Sequence, residues 1–319
     1  MHTILEQIGL RGIVPVVVIN DAAHAGPLAE ALIAGGLPCI EITFRTGAAQ
    51  AAIGTIARQH PEMLLGAGTV LTVDQAKLAA DLGAKYIVSP GFNRKVVEHC
   101  LNAGIPVTPG VATPTEIEAA LEMGLEVVKF FPAEANGGLP FLKAIAAPYK
   151  KVLFIPTGGI DETNLLGYLK FPQVLACGGS WMVKAELISG QKFDEIRKMT
   201  VQAVNLMLGF ELRHVGINMP DAAAAQAAAD RLGSIVPFPQ KDGTGSVFVG
   251  TQFEVLKRNF LGAHGHLAIG THFIHRAVAH LEAKGFRMRP DTRNEKDGKL
   301  LSVYLEEEIG GFALHLLQL

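Results

Sequence analysis

At 319 residues the chain exceeds what one hydrophobic core usually spans, so two domains, or one α/β barrel with insertions, are expected. A composition of 49% hydrophobic and 18% charged residues supports a sizeable core and leaves no room for a long disordered tail. The formal net charge of -2, with no Lys/Arg-rich run, excludes an electrostatic footprint for nucleic acid or an anionic membrane and points to small-molecule partners.

Cys39, Cys100 and Cys177 are odd in number, widely spaced and set among apolar residues, which argues against a disulfide framework or a cysteine zinc site. The N-terminal residues lack the charged, apolar and cleavage regions of an export signal, and no apolar run approaches roughly 18 residues. A cytoplasmic location is therefore expected.

Taken in chain order, β-rich runs start at Ile13 (IVPVVVI), Cys39 (CIEITF), Leu64 (LLGAGT), Tyr86 (YIVSP), Pro106 (PVTPG), Val127 (VVKFFP), Val152 (VLFIPTG) and Val174 (VLACGGS). A helix-like Ala/Leu/Glu stretch follows each, at intervals of about 20–25 residues. This alternation predicts an α/β fold, a (β/α)8 TIM barrel over residues 1–208, with an open doubly wound sheet as the alternative. Several of the runs end in Gly, Pro, Ser or Thr, as expected where one rim carries functional turns. After Gly209 the rhythm changes. His214-Val-Gly-Ile and His266-Leu-Ala-Ile each open a strand, then a helix, then further strands, so residues 209–319 read as a smaller α+β domain with an internal repeat.

Lys129 interrupts the apolar run Val-Val-Lys-Phe-Phe-Pro. Taken alone it suits a strand-end lysine reaching for solvent; buried, it suits an amine whose lowered pKa lets it attack a carbonyl and form an imine. Glu41 is likewise the lone charge in Cys-Ile-Glu-Ile-Thr-Phe. Side-chain alternation points both into one barrel interior, where the pair is either a buried salt bridge or an imine-forming lysine with its proton relay. Thr157-Gly158-Gly159 and Gly178-Gly179-Ser180 close the last two strands, where barrels most often bind phosphate through backbone N–H groups. Arg45, four residues past Glu41, is a candidate clamp for a carboxylate or phosphate, or an ordinary surface arginine.

Glu-Ile-Thr-Phe-Arg-Thr (41–46), Gly-Ala-Gly-Thr-Val (66–70), Ser-Pro-Gly (89–91), Lys-Phe-Phe-Pro-Ala-Glu (129–134), Pro-Thr-Gly-Gly-Ile (156–160) and Gly-Gly-Ser-Trp (178–181) resemble, in order, the motifs of the 2-keto-3-deoxy-6-phosphogluconate (KDPG) and 4-hydroxy-2-oxoglutarate (KHG) aldolases. The resemblance covers about residues 1–207. It implies a class I, Schiff-base lyase that needs no cofactor and splits a small, phosphorylated 2-keto acid of the Entner-Doudoroff type to pyruvate and glyceraldehyde 3-phosphate, or 4-hydroxy-2-oxoglutarate to pyruvate and glyoxylate. It also implies a homotrimer, with Lys129 as the imine lysine and Glu41 as general acid and base. Arg45 and Thr69 would hold the pyruvate carboxylate, Pro90 and Phe131 would wall the pocket, and Thr157, Gly158, Gly159, Gly179 and Ser180 would line the phosphate end.

Residues 209–319 resemble a glyoxalase-like, vicinal-oxygen-chelate domain of paired βαβββ modules. This resemblance implies a divalent metal on His214, Glu254, His266 and His315, a donor set suited to Zn, Fe, Mn or Ni. Two readings stand against the combined one: an aldolase whose C-terminal domain only binds or assembles, and a phosphosugar isomerase or epimerase barrel in which Lys129 acts electrostatically.

Overall fold

The computed structural model describes residues 1–319, which divide into two compact units, Met1–Met207 and Leu208–Leu319. In the first unit helix α1 (Thr3–Arg11) leads into strands β1 (Ile13–Val17), β2 (Cys39–Thr43), β3 (Leu64–Gly68), β4 (Tyr86–Val88), β5 (Val107–Thr108), β6 (Gly110–Val111), β7 (Val127–Phe130), β8 (Leu153–Pro156) and β9 (Cys177–Gly179). Helices α2 (Ala25–Ala34), α3 (Ala49–Gln59), α4 (Val73–Asp81), α5 (Arg94–Asn102), α6 (Pro114–Glu122), α7 (Gly138–Ala146) and α8 (Leu165–Leu169) separate successive strands, and α9 (Ala185–Ser189) and α10 (Phe193–Leu208) follow the last. Local chemistry sets several helix starts. Thr72 with Gln75, and Thr113 with Glu116, form reciprocal capping boxes that satisfy otherwise orphaned N–H groups of α4 and α6.

All strand pairs of this unit are parallel, in two sheets ordered β5-β4-β3-β2-β1-β9 and β6-β7-β8. The expected fifth strand is thus two short pieces either side of Pro109, one pairing with β4 and the other with β7. Proline has no N–H to give a ladder, while its carbonyl still accepts from the Lys129 N–H at 2.9 Å, so the chain changes neighbours there. On the other side, parallel bridges Phe154–Val174 and Thr157–Gly178 tie β8 to the chain around β9.

Val16, Glu41, Gly66 and Tyr86 lie side by side across β1 to β4. A Cβ at Gly66 would overlap the Tyr86 ring, so the missing side chain is what admits that ring. The Tyr86 hydroxyl donates to the Ile40 carbonyl at 3.2 Å. Leu5 and Ile8 of α1 pack with Val14, Cys39, Leu64, Val127 and Ile155 in one cluster. Each such side chain fully buried contributes about 1.5–3 kcal/mol.

The second unit runs β10 (Glu211–Asn218), α11 (Ala222–Ile235), β11 (Gln240–Asp242), β12 (Ser246–Val249), β13 (Phe253–Leu256), then β14 (Gly265–Thr271), α12 (Ile274–Ala283), β15 (Asn294–Lys296), β16 (Lys299–Ile309) and β17 (Phe312–Gln318). The order β11-β12-β13-β10-β14-β17-β16-β15 gives two halves of like connectivity meeting at the antiparallel β10–β14 pair. Ala225 and Ala229 of α11 pack against Val247, Val249 and Val255, which commits one face of the sheet to a core and leaves alternate residues for the other. No helix is long and apolar enough to cross a membrane.

Burial raises the Cys39 thiol to about 12 and the Cys100 thiol to about 11. At pH 8 only about one in 10⁴ and one in 10³ of these groups is the reactive thiolate. Both cysteines should escape iodoacetamide in the native protein and react after denaturation, as read by peptide mass mapping; fast native labelling of Cys39 would contradict this packing.

Candidate active site and a second polar cluster

Glu41 on β2 and Lys129 on β7 are 3% and 4% exposed, and Lys129 Nζ lies 3.4 Å from Glu41 Oε1. Three local features make room for them. A Cβ on Gly68 would overlap the Glu41 carboxylate. Gly110, the neighbour of Lys129 on β6, leaves the space where a Cβ would stand to the Pro90 carbonyl. Thr43, two residues beyond Glu41, donates its hydroxyl to the Val17 carbonyl at 2.7 Å and fixes β2 against β1. Burying a lysine and a carboxylate costs several kcal/mol per ion unless they meet, so the fold tolerates each because of the other.

Lys129 Nζ sits 5.3 Å from the centre of the Phe131 ring, and Phe131 lines a cavity of about 150 Å³ together with Arg45, Thr157, Gly158, Gly159, Gly179 and Ser180. Gly158 and Gly159 have φ of +96° and +82°, conformations an L side chain rarely adopts, so the bend after Thr157 requires glycine. The Arg45 Nε donates to the Thr69 hydroxyl at 3.1 Å, which ties two of the expected carboxylate holders together. Thr69 itself has φ +56°, unusual for a β-branched residue. Thr69 and Pro90 do not line the cavity; Thr69 borders it through Arg45, and Pro90 lies beside the lysine row. Sequence reasoning missed Gly68, whose role depends on a neighbour across β2–β3, and Val16, Val18 and Ile160, which line the cavity as ordinary apolar residues. The alternation of the β1 run was the available signal for Val16 and Val18.

In the second unit the expected metal donors come together on four neighbouring strands. Glu254 (β13), Gly216 (β10), His266 (β14) and Ala313 (β17) form one row, and His214, Ala268 and His315 form the next on the same face. His214 Nε2 and His266 Nε2 are 3.1 Å apart, and each is 3.2 Å from Glu254 Oε2. Donor atoms of His214, His266 and His315 all lie within 4.8 Å of one another. Gly216 supplies the space, since a Cβ there would run into the His266 ring. Burial pushes the Glu254 carboxyl up, but hydrogen bonds with His214, His266 and Ser246 outweigh it and hold the group well below the usual carboxylate range. Burial, then repulsion by His266 and His214, lowers His315 to about 3. His264, His272, His275 and His280 stand outside this donor cluster.

The first unit therefore presents a parallel α/β fold whose buried lysine–carboxylate pair adjoins a glycine-rimmed cavity, the arrangement of a carbonyl-handling enzyme. The sequence profile described as "KDPG and KHG aldolase" matches residues 4–199, and the chain belongs to that family of lyases. It is 50% identical over 207 residues to the 2-dehydro-3-deoxy-phosphogluconate aldolase of Treponema pallidum, a match covering 65% of this chain and 99% of that one. Among solved structures, the KDPG aldolase of Legionella pneumophila with pyruvate captured as a covalent carbinolamine is 39% identical, with a TM-score of 0.61, over 62% of this chain and 97% of its own. The Zymomonas mobilis enzyme with 3-phosphoglycerate is 40% identical, with a TM-score of 0.60, over 64% and 95%. These matches fit within the first unit in extent, and the second unit accounts for the remainder of the chain.

If the bare backbone of Gly68 is what seats the Glu41 carboxylate, Gly68→Ala should lower aldolase kcat/KM on the order of 10²-fold while the circular dichroism spectrum is retained, because small misplacements of a reacting group are that costly. Unchanged kinetics would show that Glu41 does not depend on this glycine.

Proposed function

We propose that the first unit is a class I aldolase that splits 2-keto-3-deoxy-6-phosphogluconate to pyruvate and glyceraldehyde 3-phosphate, and 4-hydroxy-2-oxoglutarate to pyruvate and glyoxylate. The observation that carries this is the buried Lys129 amine 3.4 Å from the Glu41 carboxylate beside the cavity, in a chain of this family. Lys129 Nζ attacks the C2 carbonyl to give a carbinolamine, and loss of water gives the imine. Glu41 delivers the proton that makes hydroxide a leaving water, then takes the C4 hydroxyl proton as the C3–C4 bond breaks. The electron pair of that bond flows into the imine, forming an enamine; protonation at C3 and hydrolysis release pyruvate and restore the lysine.

Arg45 and Thr69 are assigned to the substrate carboxylate, with Pro90 and Phe131 as walls. Thr157, Gly158, Gly159, Gly179 and Ser180 are assigned to the phosphate, which their backbone N–H groups and hydroxyls suit. We infer that the two parallel sheets are arcs of one (β/α)8 barrel closed through Pro109 and the β8–β9 bridges, and that the enzyme works as a homotrimer in the cytoplasm without a cofactor at this site.

For residues 209–319 we propose the glyoxalase-like assignment, with one divalent metal held by His214, Glu254, His266 and His315. Metal–donor bonds of about 2.0–2.2 Å imply donor–donor edges of roughly 2.9–3.5 Å, which the 3.1 and 3.2 Å separations fit. Both His315 ring nitrogens are buried without hydrogen-bond partners, a cost that a ligated ion would offset at the nitrogen it binds. Such an ion would supply Lewis-acid chemistry.

Borohydride reduction in the presence of pyruvate should fix a stable adduct on the peptide containing Lys129, mapped by mass spectrometry. No adduct on folded protein would sink the aldolase reading and favour the isomerase alternative. Substrate lacking the phosphate should lose kcat/KM by orders of magnitude; equal turnover of both forms would show that the glycine turns do not serve phosphate.

A further inference from the structure

Resting on the assignment of the 157–159 turn to a substrate phosphate, we propose that Asn164 is a positioning residue for that end of the site: it holds the Gly159 carbonyl outward and so presents the Ile160 N–H, beside that of Gly159, to the phosphate. The backbone after β8 is held one carbonyl at a time. The Ala133 N–H donates to the Thr157 carbonyl at 2.8 Å, the Glu134 N–H to the Gly158 carbonyl at 3.0 Å, and Asn164 Nδ2 to the Gly159 carbonyl at 2.9 Å. In a planar trans peptide the C=O and the N–H that follows it point in opposite directions. Drawing the Gly158 and Gly159 carbonyls toward Glu134 and Asn164 therefore turns the N–H groups of Gly159 and Ile160 away from those two residues. Gly159 and Ile160 line the cavity beside Arg45 and Phe131, whereas Glu134 and Asn164 border a different one. Neither N–H donates to a protein acceptor, and adjacent free N–H groups in a glycine turn suit an anion.

The first two of these bonds are backbone to backbone and come with the fold. The third rests on one side chain, and that side chain is diverted from its usual work. Asn164 occupies the N-cap position of α8, where asparagine ordinarily accepts from an N–H of its own helix, yet it makes no such bond. Its amide turns back instead: Oδ1 accepts from the Asp161 N–H at 3.0 Å while Nδ2 donates to Gly159. With both ends of the amide engaged, its orientation is fixed, since only the nitrogen end can donate to a carbonyl. Asp161 is steadied in turn, its carboxylate accepting from the Thr163 N–H at 2.8 Å and the Thr163 hydroxyl at 2.6 Å, bonds that hold the carboxyl below its usual range. From the other side, the Glu134 side chain fills the space where a Cβ on Gly159 would stand, and the buried Tyr168 hydroxyl donates to the Glu134 carboxylate. The turn is thus gripped between Glu134 and Asn164, neither of which lines the cavity beside Lys129. Their influence on a substrate passes through the backbone they hold, at the end assigned to the phosphate.

The test compares KDPG with the same keto acid lacking its phosphate, in the full-length protein and two variants. Asn164→Ala should raise KM for KDPG about tenfold with kcat little changed, the loss expected when a hydrogen bond to a charged group is misaligned. It should leave kcat/KM for the dephosphorylated substrate within about twofold and keep the borohydride-trapped pyruvate adduct on Lys129. Asn164→Asp still accepts from the Asp161 N–H but sets a carboxylate against the Gly159 carbonyl, so it should lose at least as much on KDPG. Equal losses on both substrates in Asn164→Ala would show a merely structural role and overturn the proposal, as would an unchanged KM for KDPG. Phosphate preference retained in Asn164→Asp would place the effect on the Asp161 bond and overturn the part given to the Gly159 carbonyl. A wild-type enzyme that turns over both substrates equally would instead overturn the phosphate assignment itself, and this proposal with it.

Discussion

The meeting of Lys129 and Glu41 inside the first unit is the constraint around which its interior is arranged. Neither charge is tolerable there alone, because desolvation of an isolated ion costs more than a strand's packing can return. The neighbouring residues therefore serve the pair's fit. Gly68 yields its side-chain space to Glu41, Gly66 yields its own to Tyr86, and Gly110 lets the Pro90 carbonyl close in beside Lys129. Tyr86 then fills what would be a void beneath the glutamate, tying the polar level to the apolar cluster that α1 seals. Small residues at inward positions thus do for this interior what large ones do for an ordinary core.

The second unit uses the same device for a different set of side chains. Gly216 and Ala268 alternate with His266, His214 and His315 across the central strands, so bulky rings lean over small neighbours and converge. Apolar helix packing on one face of the sheet leaves the alternate residues of the other free to form the polar cluster. In both units the polar residues that meet stand on strands, where backbone ladders fix their positions more tightly than loops could. Gly158 and Gly159, in the bend after β8, and Gly178 and Gly179, at the end of β9, line the first cavity together with Arg45 and Phe131.

Much of the first unit's order was readable from residues. β-rich runs marked the places where strands form, because alternation and β-branched content are local properties. The fifth run was misjudged in one respect: Pro109 divides it, and the sheet with it, because a residue without an N–H cannot continue a ladder on both sides. Glu41 and Lys129 stood out as lone charges in apolar runs. Gly68 did not, since a glycine in a strand says nothing about which neighbour occupies its space. In the second unit the repeated histidine openings of β10 and β14 drew attention, whereas Gly216 looked like any small residue in a strand.

The sequence by itself determined what is local: the alternation of strands and helices, their caps, the glycine turns, the change of rhythm near residue 209 and the types of side chain available for chemistry. Only the tertiary structure decided what is relational. It set Lys129 against Glu41 across 88 residues, matched Gly68 to a carboxylate and Gly216 to an imidazole, and gathered three imidazoles and a carboxylate from four strands. The reason is physical. Hydrogen bonding and backbone preference act over a few residues and leave a trace in sequence, whereas close packing and desolvation act between surfaces that meet only when the chain has folded.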